Sequence, residues 1–235
     1  MFIALEGGDG SGKTSLIKVL SYYLASLGIP AITTREPGGT PMAEKMRSMV
    51  LTNAVCPLAE LYLFAAARAE HCTDVVIPAL LRGDWVLCDR FSGSTYVYQQ
   101  CEKGLSKDLV ESLDLGVQNL FAAEGLKHVL GVTDLEIVLD VGFDVAQERL
   151  NYRLGSPEGL NRLDTLDRTR FETRRNYYKD YAERTPNAVL VDGSGTPNET
   201  FAKASDLIDR ALHRTTSKDW SSQKTLNSSP YTTQV

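Results

Sequence analysis

Near its start the chain reads Gly7-Gly8-Asp9-Gly10-Ser11-Gly12-Lys13-Thr14, which fits the pattern G-x-x-x-x-G-K-[ST]. These residue types at this spacing can hold a triphosphate. Glycines let the backbone wrap closely around phosphate oxygens, and successive N–H groups point inward as an anion nest. Lys13 can reach the β- and γ-phosphates, and the Thr14 hydroxyl can ligate Mg²⁺. The apolar run FIALE (2–6) precedes the motif, and a segment with helical spacing follows it. That is the context the motif requires, and the helix N-terminus adds a favourable dipole. A glycine turn with an incidental lysine is the bland alternative, and both flanking elements argue against it. The motif speaks for nucleoside triphosphate binding and is silent on what is done with the nucleotide.

Three further stretches carry side chains suited to an acceptor: Thr34-Arg35-Glu36-Pro37-Gly38-Gly39-Thr40, Phe64-Ala65-Ala66-Ala67-Arg68, and Asp89-Arg90-Phe91 followed by Ser94, Thr95, Tyr98 and Gln99. Arg35 and Arg90 each end a predicted strand. In a parallel sheet, ligands gather at those ends. Two fixed guanidinium forks beside a triphosphate site suggest a second anion held for reaction. Phe64 and Arg68 are four apart and share a helix face, so a ring and a guanidinium together could stack on a base and bond its edge. On pattern alone Phe64 reads as core. N-K-x-D occurs nowhere, so guanine recognition of the GTPase type has no support.

The elements that must position these residues follow from apolar runs. FIALE (2–6), AITTR (31–35), WVLCD (85–89), EIVLD (136–140) and AVLVD (188–192) read as buried strands. Segments 13–27, 41–51, 58–76, 105–123, 144–153, 165–184 and 198–213 read as helices. Strands alternating with helices predict an α/β three-layer sandwich, a five-stranded parallel sheet with helices on both faces. One domain over 1–214 is expected, with a lid near 150–164 where Gly, Ser and Pro break the pattern. Residues 215–235, rich in Ser and Thr, read as a disordered tail. The 235 residues are 43% hydrophobic and 23% charged, ordinary for one soluble domain. A net charge of −5 argues against a broad nucleic-acid-binding surface. No run is apolar enough to span a membrane, and residues 1–6 do not read as a secretory signal. Four cysteines without C-x-x-C spacing read as reduced thiols, so a cytoplasmic location is expected.

EGGDGSGKTS, TREPGGT, FAAAR and DRFSGSTYVYQ, in this order and at these separations, resemble the thymidylate kinase family, over about residues 1–213. The resemblance implies transfer of the γ-phosphoryl of ATP to dTMP, with Mg²⁺ as cofactor. It implies that Phe64 stacks on thymine, that Arg68 donates to a base carbonyl, and that Thr95 meets the N3 region. Arg35 and Arg90 would hold the monophosphate, with Gln99 and Ser94 nearby. Asp9 would bond the sugar 3′-hydroxyl, and Tyr98 would crowd the 2′ position. Asp89 would hold a water of the Mg²⁺ shell, or make a structural bond to the glycine loop. Some members carry an arginine in the glycine loop, where this chain has Gly10. Members without it supply basic residues from the lid, which makes Arg153 the first choice as catalytic arginine, with Arg162 or Arg149 sharing the role. The catalytic set is then Lys13, Arg153, Arg35, Arg90 and Asp9. A homodimer through helices beside the sheet is also implied. The competing readings are a deoxynucleoside kinase, a kinase for another monophosphate, a P-loop ATPase switch, and a degenerate paralogue that binds nucleotide without turnover.

Overall fold

The computed structural model describes residues 1–126, 132–154 and 167–216, apart from the side chains of residues 153, 154 and 214–216. Five strands, β1 (Phe2–Gly7), β2 (Ala31–Arg35), β3 (Trp85–Asp89), β4 (Leu135–Asp140) and β5 (Ala188–Asp192), form one parallel sheet in the order β2-β3-β1-β4-β5. Helices cover both faces, as the alternating pattern predicts. The register sets Leu5 and Arg35 each opposite Asp89, and Gly7 opposite Leu139. The carboxyl ends of β1, β2 and β3 therefore open on one edge, and the glycine loop leaves the sheet there.

Successive residues of β1 point to opposite faces. Ile3 and Leu5 join a core with Leu16 and Leu20 of α1 (Lys13–Ser26) and with Ala204 and Ile208 of α9 (Pro197–Thr216). Phe2 and Ala4 join a second core with Phe91, with Val76, and with Val117 and Phe121 of α6 (Lys107–Ala123). Both faces are dry, which is why β1 reads as a continuous apolar run rather than an alternating one. Each fully buried Leu or Ile, such as Leu20 or Ile208, contributes about 2 kcal/mol relative to exposure. All four cysteines are free thiols. Among the described residues no helix is long and apolar enough to cross a membrane.

Two stretches differ from the sequence reading. The helix expected over 58–76 is α3 (Pro57–His71), a π-helical turn at Cys72–Val76, and then α4 (Ile77–Leu81). Pro78 has no N–H for the ladder, and the chain resumes its helix with that residue in the first turn of α4. Residues 92–102, which the sequence reading assigned to no element, form α5 (Ser92–Thr95) and a π-helical stretch Tyr96–Glu102. A Cβ at Gly93 would lie 2.8 Å from the Tyr181 ring and 3.0 Å from the Glu6 carboxyl, so this glycine serves close packing. The remaining helices are α2 (Pro41–Thr52), α7 (Phe143–Leu154) and α8 (Arg168–Arg184). Most of the expected lid, and the expected tail from residue 217 on, lie outside the described residues.

Candidate active site

The glycine loop joins β1 to α1. Gly12, at φ 96°, caps α1 with no side-chain hydrogen bond, so the first-turn N–H groups remain for a bound anion. Gly10 has φ +77°, and a Cβ there would stand 2.5 Å from the Ala146 carbonyl oxygen of α7. The backbone of α7 thus closes this loop position to any side chain. Lys13 is 7% exposed and folds back on its own loop, donating to the carbonyls of Gly7 at 2.9 Å and Gly8 at 3.0 Å and to Ser11 Oγ at 3.3 Å. Thr14 Oγ1 donates to Asp89 Oδ2 at 2.7 Å. This bond is the structural link between Asp89 and the loop that the sequence left open.

Beside the loop lies a cavity of about 210 Å³. Phe64, Arg68, Thr95, Gln99, Arg90, Arg47, Asp9 and Tyr98 line it. Phe64 belongs to neither core, contrary to the pattern-based reading: it is half-buried and forms part of the cavity wall. Arg68 is buried and held by three partners. Its Nε donates to Glu36 at 2.6 Å, Nη1 to Asp114 at 3.1 Å and Nη2 to Thr95 Oγ1 at 2.9 Å. A guanidinium has five N–H bonds, so two are left for a ligand. Glu36 is fixed in turn by His71 Nδ1 at 2.9 Å, and Thr34 Oγ1 meets His71 Nε2 at 2.6 Å. Arg68 holds the Glu36 carboxyl below the usual glutamate range in spite of burial.

Arg90 adopts φ 73°, the one non-glycine residue with positive φ among those described. A strained backbone of this kind persists where surrounding bonds over-determine it. Arg90 Nη1 donates to the Gly7 carbonyl at 3.0 Å, to Ser94 Oγ at 3.2 Å and to Tyr178 Oη at 2.9 Å, while Nη2 donates to Asp9 Oδ1 at 2.6 Å. Ser94 thus contacts the site through Arg90, and it donates to Glu6 Oε2 at 2.7 Å. The Tyr98 ring lies between two guanidinium groups, with Arg174 at 4.7 Å and Arg90 at 5.5 Å. Its hydroxyl is buried beside Tyr178 and completes no well-formed hydrogen bond.

The sequence expectation and the structure part at Arg35. That side chain is 56% exposed, is bound by Glu44 at 3.0 Å, and is not among the cavity's lining residues. Arg47 of α2 lines the cavity instead and donates to the Pro37 carbonyl at 3.0 Å. Burial, followed by repulsion from Arg35, depresses the Arg47 pKa, the condition of a cation short of negative charge. Sequence reasoning did not single out Arg47. The available signal was that α2 starts directly after the strand-end loop, so its first turns face the same sheet edge. Arg174 and Glu102 were missed as well. Arg174, 3% exposed, lies 3.7 Å from Asp9 and donates to Glu102 at 2.7 Å. Gln99 lines the same cavity and donates to Glu60 at 2.7 Å.

Of the three lid arginines, Arg149 is tied down. Nη1 donates to the Ser11 carbonyl at 3.2 Å, and Nη2 to the carbonyls of Gly193 at 2.8 Å and Gly195 at 3.2 Å. The Arg153 side chain and Arg162 lie outside the described residues.

Burial, and next the charge of Arg90, push the Lys13 ammonium from 10.5 down to about 8. A bound triphosphate supplies negative charge and reverses that shift. The kcat/KM for ATP, which reports the free enzyme, should therefore fall as pH rises through about 8, while kcat holds to higher pH. A kcat/KM for ATP that stays level to about pH 9.5 in steady-state profiles would contradict this.

The model of the family described as Thymidylate kinase matches residues 5–203. The thymidylate kinase of Pelobacter propionicus is 37% identical over 219 residues, covering 91% of this chain and 96% of the relative. That of Teredinibacter turnerae is 37% identical over 214 residues, 90% and 96% of the two chains. That of Chlamydia caviae is 36% identical over 211 residues, 86% and 94%. With a family model matched over residues 5–203 and relatives matched over nearly their full length, the chain belongs to the thymidylate kinase family.

Proposed function

We propose that the chain transfers the γ-phosphoryl of ATP to the 5′-phosphate of dTMP, giving dTDP and ADP, with the glycine loop holding the donor and the cavity holding the acceptor. The observation that carries the assignment of the cavity is its lining, which combines an aromatic ring, fixed donors and acceptors, and the guanidinium groups of Arg90 and Arg47. A pyrimidine monophosphate needs the same three kinds of partner. Phe64 stacks on the base, Arg68 donates its two remaining N–H bonds to a ring carbonyl, and Gln99 and Thr95 meet the N3 edge. Arg90 and Arg47 hold the monophosphate. Arg35 keeps Glu44 in place at the strand end and acts at longer range. Asp9, oriented by Arg90, accepts from the 3′-hydroxyl, and Tyr98 closes the space a 2′-hydroxyl would need.

The nucleophile is already an anionic phosphate oxygen, so no strong base is required. Rate comes from aligning two anions and stabilising the charge that moves between them. Lys13 neutralises the β- and γ-phosphates, and a lid arginine, Arg153 first, completes the set. Thr14 and Asp89, a hydroxyl and a carboxylate side by side, are hard oxygen donors suited to Mg²⁺ and its water shell. Bound there, the ion would offset charge on the β- and γ-oxygens of ATP. A homodimer through α3, whose Leu58 and Tyr62 are 42% and 50% exposed, and a cytoplasmic location belong to the same reading.

A coupled ADP-release assay across dTMP, dUMP, UMP, CMP and thymidine tests the function. The expected result is turnover with dTMP, far less with UMP and CMP, and none with thymidine. Thymidine turnover would make the chain a nucleoside kinase, and ATP hydrolysis indifferent to acceptor would make it a switch.

A further inference from the structure

We propose that Glu60 is a positioning residue that, with Lys103, fixes the amide of Gln99 so that its carbonyl faces the cavity and selects acceptor bases with a proton on ring N3. This rests on reading the cavity as the dTMP site.

Glu60 lies on α3, one turn before Phe64, and is 1% exposed. Its Oε1 accepts from Gln99 Nε2 at 2.7 Å, and Gln99 is 3% exposed. An ionised carboxylate has no hydrogen to give, so the amide half turned toward it must be the NH₂. The reversed amide would set two oxygens against each other. Lys103 Nζ meets the same Glu60 oxygen, so a cation and the amide NH₂ converge on it and hold it in place. The Gln99 carbonyl oxygen has no protein donor among the described residues, and the residue lines the cavity.

The edge facing the base is then a donor from Arg68 next to an acceptor from Gln99. Thymine offers the complement, a carbonyl beside an N3–H. Cytosine offers an amino group beside an N3 lone pair, which meets the Gln99 oxygen with repulsion. Sites that leave such groups unpaired reject the wrong ligand strongly. Selection thus depends on the orientation of one amide, and Glu60 sets that orientation without touching the base.

Glu60→Gln offers an amide partner that accommodates Gln99 either way round. Measured with saturating ATP, this variant should raise the KM for dTMP about tenfold while kcat changes less than about threefold. The ratio of kcat/KM for dTMP over dCMP should fall at least about tenfold. Adding Gln99→Glu should restore most of that ratio, since a carboxylate at 99 offers only acceptors. If circular dichroism and mant-ADP titration show that Glu60→Gln does not fold, Lys103→Met decides, because it removes the cation that anchors the Glu60 oxygen facing Gln99. A lowered ratio there supports the proposal, and an unchanged ratio overturns it. A dTMP to dCMP ratio within about twofold of the parent in Glu60→Gln, with the ratio lost in Gln99→Ala, overturns the proposal and leaves the dTMP reading standing. A parent enzyme without preference for dTMP overturns both.

Discussion

Arg90→Ala is expected to lower kcat/KM for dTMP by on the order of 10³-fold, Arg47→Ala by about 10²-fold, and Arg35→Ala by less than about fivefold. The order follows from burial and from what each guanidinium already holds. Arg90 is tied to the Gly7 carbonyl, Ser94, Tyr178 and Asp9, and its left-handed backbone turns it back over the glycine loop. A phosphate placed there meets a cation whose rotamer is already paid for by protein bonds. Removing it also releases Asp9, so the sugar contact loosens with the phosphate contact. Arg47 has one carbonyl partner among its hydrogen bonds and stands among positive neighbours, so an incoming dianion relieves repulsion as well as forming bonds. Arg35 is exposed and satisfied by Glu44. In water its charge is screened, and the loss is correspondingly small. Thermal melts separate folding from function, since Arg90→Ala also removes bonds to the loop. An Arg35→Ala loss as deep as that of Arg90→Ala, with Arg47→Ala near the parent, would return the phosphate to the strand-end arginine that the spacing first suggested.

The contrast between Arg35 and Arg47 shows what the sequence could and could not carry. The glycine loop was legible because its chemistry depends on backbone conformation, which glycine spacing reports directly. The strands were legible because burial on both faces leaves continuous apolar runs. That is why β1, β3 and β4 stand where the pattern predicts. Arg90 was legible because a strand end fixes where a residue lies. Arg35 also ends a strand, yet β2 is an edge strand, and its last side chain turns outward to Glu44. Position along a strand does not report which way the side chain leaves it. Arg47, Glu60, Glu102 and Arg174 were illegible for a related reason. Each is a charged residue on a helix, and a charged residue on a helix usually faces water. Only tertiary packing shows that these four surround a cavity.

Glu136→Gln is expected to stabilise the fold at pH 8 by about 3 kcal/mol and to leave it nearly unchanged at pH 4.5. Glu136 stands on β4, 2% exposed, accepting from Thr133 Oγ1 at 2.8 Å and from Tyr181 Oη at 2.8 Å. Among the described residues no cation pairs with it. Burial, and next the nearby Glu6 carboxylate, raise it from 4.5 to about 7. Glu6 is itself raised by burial, although Ser94 and Arg90 pull against the shift. A carboxyl raised in the folded state binds its proton more tightly there than in the unfolded chain. Its stabilising contribution is complete below pH 4.5, is lost as pH rises to about 7, and stays lost above that. Glutamine keeps the shape and never ionises. Its oxygen accepts from one hydroxyl, and its NH₂ donates to the other, which turns to accept. The stabilities of variant and parent should therefore diverge between pH 4.5 and about 7 and run parallel above it. At pH 8 the gain corresponds to a Tm rise of roughly 5–10 °C for a chain of this size. Groups distant from this pair are common to both proteins and cancel, so the difference reports Glu136 together with its repulsion from Glu6. A difference in unfolding free energy that does not vary from pH 5 to pH 8, measured by urea titration at each pH, would show that Glu136 is ionised at no cost inside the sheet. In that case Tyr181 and Thr133 would have to replace water for a buried anion, and the repulsion with Glu6 would have to be absorbed by Arg90.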